Sequence, residues 1–553
     1  MDRRALTLKA KIQKHRLKTE NLDPRKWMRQ ETVDAFADFI LNKHSDGETD
    51  NSFDSQEMLL DAEKQFMEAA KRNDVETMKT LAKGLNANAR NVDNRTALHY
   101  AVAGKNKEAV QLLLQRRVKV DQKDKYGVAP IHLAAWFGSL EILKLLVQAG
   151  AEQKVENEEG LNIMHCAAIN NQTEIIEYIM NDLQMKELDK EDQSGHRAFA
   201  LAAEHGCVEM LEMLMVRYDM GTMEPNKRGD TPLHLAARNG HLAAIQSLLQ
   251  SFDTRDEVNM ESETALYQAA EHGEEECALL LLEAGCDPNI LTKANCSALH
   301  PVSEKGDTSV VQLLLDYKAH TDFQNQNLEA PLHLAVKNSH IPVIHCLLKS
   351  GCNVNVTDKR SQTAMHLAAE LARTEVAEML LKSGLDPTLR DRQNKTALGV
   401  AARADEVIIV DMIIKAERYY AWRKANPELN ESIHSEYPLR FKLDHRSETK
   451  QLRSMAWRLA YELLKPGDWK RLAENWDFTK EQVSAIEEQW TGRHSYKEHG
   501  NRMLLIWLHG EELAERSPAK ELYQGLILIG NRKAADRIRM EAESSSSKSC
   551  SIS

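Results

Sequence analysis

The residues of this 553-residue chain that could perform chemistry are seven histidines that recur at one position of a repeating pattern. Successive equivalent positions are 33 to 35 residues apart, and the histidines at them are His99, His132, His165, His234, His300, His333 and His366. Imidazole is a common zinc ligand, so metal binding is the first function to consider. Helices of adjacent repeats pack roughly 8–10 Å apart, whereas zinc needs every nitrogen about 2 Å from one centre. We therefore expect no metal site, and we predict that each histidine hydrogen-bonds the backbone of a neighbouring turn.

Motifs of known catalytic chemistry do not accompany these histidines. The chain contains no G-x-x-x-x-G-K-[ST] loop, no H-E-x-x-H helix and no G-x-S-x-G turn. Its eight cysteines are scattered singly, without a C-x-x-C pair, which is typical of a protein in a reducing compartment. We predict that the protein is not an enzyme and needs no cofactor.

The length and charge of the chain limit the class of protein further. A chain of this length predicts several domains or a repeat array rather than one core. The formal net charge of −12 argues against a nucleic-acid partner, which requires a concentrated basic face. The chain has no run of eighteen apolar residues, and its basic N-terminus lacks the apolar core of a secretory signal. We expect a cytoplasmic protein that is not secreted.

The elements that must position the histidines are short helix pairs. In each unit a turn rich in Gly, Asn and Asp precedes an entry such as Thr231-Pro232-Leu233-His234, where Thr suits the helix cap and Pro the first turn. Small residues follow, and then a second, aliphatic helix such as 141–146. Because one such pair cannot bury its apolar face alone, the units must stack.

This phased pattern resembles the ankyrin repeat, and the resemblance covers residues 61–418 as about eleven units, of which the first is degenerate. It implies an all-α solenoid of helix pairs joined by β-hairpin-like turns, with protein partners bound on the concave face. Two units depart from the pattern. The segment 197–200 follows an insertion and loses the tetrapeptide, and Gly399 replaces the last histidine.

One repeat carries aromatic residues where the others are polar. Tyr126 lies in its turn, and Trp136 and Phe137 follow its small residues. Exposed aromatics are typical of binding hot spots, so we predict that these three contact a protein client. Arg238, at the equivalent position of another repeat, is a further candidate. The alternative is that Phe137 packs under its own hairpin and only Trp136 is partly exposed.

The composition changes after residue 418. We interpret 419–445 as a cap and linker, and 446–540 as a compact domain that holds five of the eight tryptophans. Apolar spacing and Gly/Pro positions predict six helices. Their expected ranges are 449–464, 468–476, 479–490, 495–509, 517–529 and 531–540.

The order of these six segments resembles a death domain, carried by the strings 468–473, 478–487, 503–507, 522–526 and 530–535. Together the two modules resemble the ankyrin repeat and death domain-containing protein family. Death domains assemble with other death domains, so the resemblance implies self-association or a death-domain partner. We expect Lys470 and Arg471 on one copy to meet Glu487 and Glu488 on another. The alternative is that these charges form ordinary solvated faces.

The two ends of the chain differ from both modules. We interpret residues 1–60 as a largely disordered segment and 541–553 as a Ser-rich tail. The last four residues fit a C-a-a-X pattern, so Cys550 is a candidate for prenylation. A single prenyl chain would give reversible membrane association.

These observations predict a non-enzymatic intracellular scaffold, or adaptor, in signal transduction. Its array would recruit protein clients, and its death domain would assemble complexes by homotypic contacts. The alternative is a cytoskeletal or membrane-linked structural adaptor in which the death domain is a passive appendage.

Overall fold

The structure is a computed structural model that describes residues 59–425, 439, 441, 447–513 and 518–549. Its regular elements in these ranges are helices, and the β-structure described there is an isolated bridge between Arg390 and Thr396. The chain divides into two compact units, an N-terminal unit up to Ile290 and a C-terminal unit from Leu291. The expectation of an all-helical repeat solenoid is confirmed.

The described part of the N-terminal unit contains seven consecutive helix pairs. The bounds are α1 Asp61–Lys71, α2 Val75–Leu81, α3 Ala97–Ala103, α4 Lys107–Gln115, α5 Pro130–Trp136, α6 Leu140–Gln148, α7 Ile163–Ile169, α8 Thr173–Glu177, α9 Ala198–Glu204, α10 Val208–Glu212, α11 Pro232–Arg238, α12 Leu242–Ser251, α13 Ala265–His272 and α14 Glu275–Glu283. Helices α8 and α10 continue as π-helical turns at Tyr178–Asp182 and Met213–Arg217, and a short 3₁₀ turn spans Lys186–Leu188. The π turns lie on both sides of the segment 197–200, where the sequence departs from the repeat pattern.

The C-terminal unit begins with four more helix pairs. They are α15 Leu299–Lys305, α16 Thr308–Asp316, α17 Pro331–Lys337, α18 Ile341–Lys349, α19 Ala364–Glu370, α20 Thr374–Lys382, α21 Ala397–Arg403 and α22 Val407–Ala425. Helix α22 has 19 residues, so the segment expected to begin a separate cap at 419 is the continuation of the last repeat helix. The Tyr420 hydroxyl donates to the Leu381 carbonyl of the preceding repeat at 2.5 Å, which attaches the extended part of α22 to the array.

Further helices follow in the C-terminal unit. They are α23 Ser447–Arg458 with a π turn at Leu459–Leu463, α24 Asp468–Asn475, α25 Lys480–Glu488, α26 Ser495–Leu513, α27 Pro518–Leu528 and α28 Arg532–Ser549. They lie close to the six predicted ranges. Helix α28, however, runs nine residues beyond the predicted end at 540, into the Ser-rich segment. The core of this C-terminal bundle includes the buried side chains of Trp469, Ile486, Trp507 and Leu526.

The repeated histidine joins each helix start to a neighbouring turn. In α11 the backbone N–H of Thr231 donates to Nδ1 of His234 at 3.2 Å. Because Nδ1 accepts, the proton is on Nε2, which donates to the carbonyl of Glu263 at 2.9 Å. Burial lowers the pKa of His234, so the ring is neutral at pH 7. The predicted backbone hydrogen bond is confirmed, and six equivalent bonds have Nε2–oxygen distances of 2.9–3.3 Å, from His99, His132, His165, His300, His333 and His366.

An Asp or Asn side chain closes most of the turns that precede a helix pair, and Thr292 takes this position before α15. Oδ1 of Asp124 accepts the backbone N–H groups of Tyr126 and Val128, both at 2.9 Å. Gly127 in the same turn has φ +76°, and a Cβ there would lie 2.8 Å from the backbone nitrogen of Glu158. A glycine is required because consecutive turns approach this closely.

Candidate protein-interaction surfaces

The aromatic repeat presents fewer rings than its sequence predicts. Trp136 is only 2% exposed, because every residue of α5 packs between neighbouring helices. Its predicted direct contact with a client is therefore wrong, and so is the alternative in which Trp136 alone remains exposed. Tyr126 and Phe137 are half-buried, and the Lys125 ammonium lies 4.9 Å from the centre of the Tyr126 ring. Tyr126, in the turn, and Phe137, at the end of α5, are therefore the aromatic residues of this repeat that a partner could contact.

Arg238 is held by two side chains of the array. Its guanidinium donates to the Asp230 carboxylate at 2.9 Å and to the Gln268 side-chain oxygen at 2.8 Å. Burial alone would raise the pKa of Asp230, but the Asn259 hydrogen bond and the nearby arginines outweigh it and lower that pKa. Arg238 therefore stabilises the junction of two repeats and keeps a partly exposed surface.

A second buried ion pair has no counterpart in the sequence analysis. Arg95 Nε lies 3.2 Å from the Asp124 carboxylate, and both side chains are almost fully buried. Asp124 is the residue that closes the turn before α5, so the pair links the turns of two adjacent repeats. The repeat pattern indicated polar turns, but it did not show which of their charges are buried.

The C-terminal bundle packs against the last repeat through polar contacts. Arg502 of α26 donates to Asp411 of α22 through Nε at 3.0 Å and through a terminal nitrogen at 2.6 Å. Arg502 is 4% exposed, so this ion pair is largely removed from water. Burial raises the pKa of Asp411, and the charge of Arg502 opposes that shift. The two residues are 91 positions apart in the chain.

Four further contacts line the same junction, which we call the α22 junction. Gln482 of α25 donates to the Glu417 carboxylate at 2.7 Å, and burial raises the Glu417 pKa to about 7. Arg418 donates to the Trp476 carbonyl at 2.9 Å and lies 4.1 Å from the centre of the Phe478 ring. An exposed ion pair joins Arg390 to Glu481. The bundle and the last repeat are thus one packed structure, with α25 and α26 facing the repeat.

Three of the four charges expected to meet between copies make contacts within the chain. Lys470 forms an ion pair with Glu487, and Arg471 pairs with Asp468 at 2.6 Å. All three of Lys470, Arg471 and Glu487 remain well exposed, as does Glu488. The sequence correctly placed these charges at a surface, but it did not show that Lys470 and Glu487 already neutralise each other.

A metal site and a membrane-spanning helix are both missing from the residues that the structure describes. Within them, no group of three His, Cys, Asp or Glu side chains is arranged to hold a metal ion. The described helices include none long and apolar enough to cross a membrane. Burial raises the pKa of the Cys207, Cys286 and Cys352 thiols to about 12, which keeps them protonated and unreactive. Cys550, the predicted prenylation site, lies outside the described residues.

Comparison with known families identifies the array. The model for ankyrin repeats (3 copies) matches at residues 66–157, 141–224, 214–292, 285–358 and 343–421, which together span more than half of the chain. The chain belongs to the ankyrin-repeat family. The matched residues coincide with helices α1 to α22, and they include the extended last helix almost to its end.

Relatives of this ankyrin-repeat protein share the repeats over limited stretches. The Nuclear factor NF-kappa-B p105 subunit of Gallus gallus is 32% identical over 166 residues, which are 29% of this chain and 16% of that protein. Serine/threonine-protein kinase 12 of Arabidopsis thaliana is 37% identical over 94 residues, covering 17% of this chain and 20% of the kinase. The human Transient receptor potential cation channel subfamily A member 1 is 28% identical over 185 residues, which are 33% of this chain and 14% of the channel. The chain thus spans a fifth or less of the length of these relatives.

Among solved structures, the ankyrin repeat domain of Bcl-3 matches with 25% identity and a TM-score of 0.36. The match covers 39% of this chain and 98% of that domain.

Proposed function

We propose that this ankyrin-repeat protein is a non-enzymatic intracellular scaffold in signal transduction, which binds protein clients on its array and assembles through its C-terminal bundle. Ankyrin repeats are protein-interaction modules, and the repeats occupy most of the chain. The observation that carries the proposal is the bonding of the polar residues that recur from repeat to repeat. The repeated histidines and the Asp or Asn residues of the turns bond the array's own backbone, so the turns stay rigid and present their outer side chains.

Client binding is assigned to the turns and the ends of the first helices. Tyr126 and Phe137 combine half-buried aromatic surface with a fixed position, which are properties of hot-spot residues. Arg238 adds a partly exposed guanidinium that the Asp230 carboxylate holds in place. Rigid placement favours affinity because little side-chain entropy is lost on binding.

Assembly is assigned to the bundle by its resemblance to death domains and by its exposed charges. Glu488, on α25, is well exposed and can pair with a cation on another copy. Arg471, on α24, is also well exposed, but it already pairs with Asp468 of its own chain, so a contact with another copy would have to share that arginine. The pairing of Lys470 with Glu487 inside one molecule reduces the contribution of those two residues.

A structural adaptor is the second candidate, and the α22 junction favours it. Part of the bundle surface, on α25 and α26, is already committed to the last repeat. A bundle that serves chiefly to cover α22 would leave client binding to the array alone.

Sedimentation velocity of the full chain separates the two candidates. Assembly through the bundle predicts a weight-average mass that rises with concentration and falls toward the monomer in Arg471→Glu and in Glu488→Lys. Lys349→Glu, an exposed charge reversal on α18, is the control and should leave the mass unchanged. Variants whose thermal unfolding matches the wild type, yet whose mass is unaltered, would contradict assembly through these charges.

Client binding is tested by proximity labelling in cells with the full chain. Tyr126→Ala should lose a subset of labelled proteins, because its ring supplies contact area without supporting the core. Tyr317→Ala removes another partly exposed ring, near the end of α16, and should retain that subset. Identical labelling by both variants would exclude Tyr126 as a contact residue.

Location is part of the proposal as well. We assign the protein to the cytoplasm, with reversible membrane association if Cys550 carries a prenyl group. Mass spectrometry of the C-terminal peptide tests the modification directly, and an unmodified Cys550 in cells would remove the membrane component.

A further inference from the structure

A cavity of about 530 Å³ lies beside the α22 junction, among α22, α24, α26 and α27. Its volume falls in the range of ligand sites, which are roughly 300–1,000 Å³. Two half-buried indoles line it, Trp422 from α22 and Trp476 from the end of α24.

Each of these indoles is supported by a buried aromatic ring. Trp476 stacks on Trp507 with ring centroids 4.2 Å apart and planes 14° from parallel. Trp422 lies 6.3 Å from Tyr419, centroid to centroid. The rings are therefore held in position before any ligand arrives, and a rigid aromatic wall binds at low entropic cost.

Carboxylates lie next to this aromatic wall. Glu511 lines the cavity one helical turn after Trp507 on α26, and it is 6% exposed. Glu521 lines it one turn before Gly525 on α27, where a Cβ would come within 2.9 Å of the Trp476 ring. Residues four apart share one face of a helix, so both carboxylates are on the side of the stacked indoles. A third, Asp477, follows Trp476 directly and is exposed.

Two cations of the lining, Arg418 and Lys415, interact with groups of the α22 junction. Arg418 donates to the Trp476 carbonyl and lies over the Phe478 ring. Lys415 is close enough to Asp411 for its charge to favour the ionised form of that carboxylate. An anionic ligand would meet three carboxylates, and a purely apolar ligand would bury them at a free-energy cost.

We propose that this cavity is a docking site for an arginine side chain presented by a protein partner. A guanidinium suits both the indole rings and the carboxylates of this cavity, since it stacks on aromatic rings and forms planar, two-pronged hydrogen bonds to carboxylates. The volume exceeds that of one side chain, which leaves room for the adjoining backbone of an extended segment. The proposal stands independently of client binding by the turns and of assembly by the bundle.

Fluorescence anisotropy with the full chain tests the site. The probe is the labelled peptide Gly-Ala-Arg-Ala-Gly, and the matched control peptide carries citrulline, which has nearly the shape of arginine without its charge. Saturable binding is expected, weakened about tenfold or more by citrulline because the charge-assisted hydrogen bonds are lost. The lysine peptide should also bind more weakly, since an ammonium cannot form the planar fork.

Variants locate the binding. Trp422→Ala and Glu521→Gln should each weaken arginine binding about tenfold, because the first removes a stacking ring and the second removes a carboxylate charge. Trp490→Ala and Glu375→Gln remove an exposed indole and an exposed carboxylate outside the cavity lining, and both should bind as the wild type does. Thermal unfolding of all four should show that the fold is retained.

Several results would overturn the proposal. They are the absence of saturable binding, equal affinity for arginine and citrulline peptides, or full affinity in a folded Trp422→Ala variant. Equal affinity for the lysine peptide would overturn the assignment of the guanidinium.

Discussion

Replacing Asp411 by alanine tests whether the α22 junction stabilises the C-terminal unit. The change leaves Arg502, 4% exposed, without the carboxylate that accepts two of its hydrogen bonds. Removing one partner of a buried ion pair costs about 3–5 kcal/mol. Because the Asp411 side chain is itself only part-buried, we expect the lower end of that range, about 3 kcal/mol. For a domain of 150–250 residues this predicts a fall in Tm of roughly 6–12 °C.

The assay is thermal unfolding followed by tryptophan fluorescence, since five of the eight tryptophans lie at 457–507. Hydrogen exchange by mass spectrometry should show faster exchange in α22 and α26 and unchanged exchange in α3 and α4. Arg390→Gln is the control: it breaks the exposed Arg390–Glu481 pair, whose side chains are 43% and 54% exposed, so its cost should be under about 1 kcal/mol. Equal, small effects of the two variants would refute the argument that this buried pair fastens the bundle to the array.

Three further predictions concern other parts of the molecule. Glu417→Gln should stabilise the protein at pH 8 and make its stability less dependent on pH between about pH 4.5 and 7. The reason is that a carboxyl whose folded pKa is raised to about 7 binds more protons in the folded state, so wild-type stability falls as the pH rises through that window. Denaturation midpoints at pH 5 and pH 8 measure the difference. His234→Ala should cost about 2–4 kcal/mol in urea denaturation, because it leaves the Thr231 N–H unpaired, removes one of the two hydrogen bonds to the Glu263 carbonyl and opens a cavity. The exposed His345→Ala should cost under about 0.5 kcal/mol. Gly127→Ala should lower the free energy of unfolding more than Gly150→Ala in the same assay. Both glycines have positive φ, but only at Gly127 would a Cβ meet a neighbouring backbone. Equal losses of stability would exclude this close approach.

The array was largely predictable from the sequence because its contacts are local and repeated. Each helix start, its histidine and the turn that accepts the histidine N–H recur with one spacing, so one unit predicts the others. The helix at 407–425 was less predictable. The aromatic residues after 418 indicated a cap, but continuation of the helix depends on packing against the preceding repeat and the bundle.

Surface assignments were the weakest predictions. Trp136 follows two alanines, as the partly exposed Arg238 does in another repeat, yet the Trp136 ring packs between helices and is buried. A sequence position indicates which side of a helix a residue occupies, but it does not show how deeply neighbouring side chains cover it. The same limit applies to Lys470 and Glu487, which the sequence assigned to separate surfaces and the fold joins in one ion pair.

By itself, the sequence determined the repeat family, the helix pairs and the absence of familiar catalytic motifs, since all of these follow from short-range periodicity. Only the tertiary structure decided that Asp411 meets Arg502, that Glu417 is buried beside Gln482, and that Trp422, Trp476 and three carboxylates surround one cavity. Asp411 and Arg502, for example, are 91 positions apart in the chain. Their proximity depends on the docking of the bundle against α22, which is driven by the complementarity of two folded surfaces.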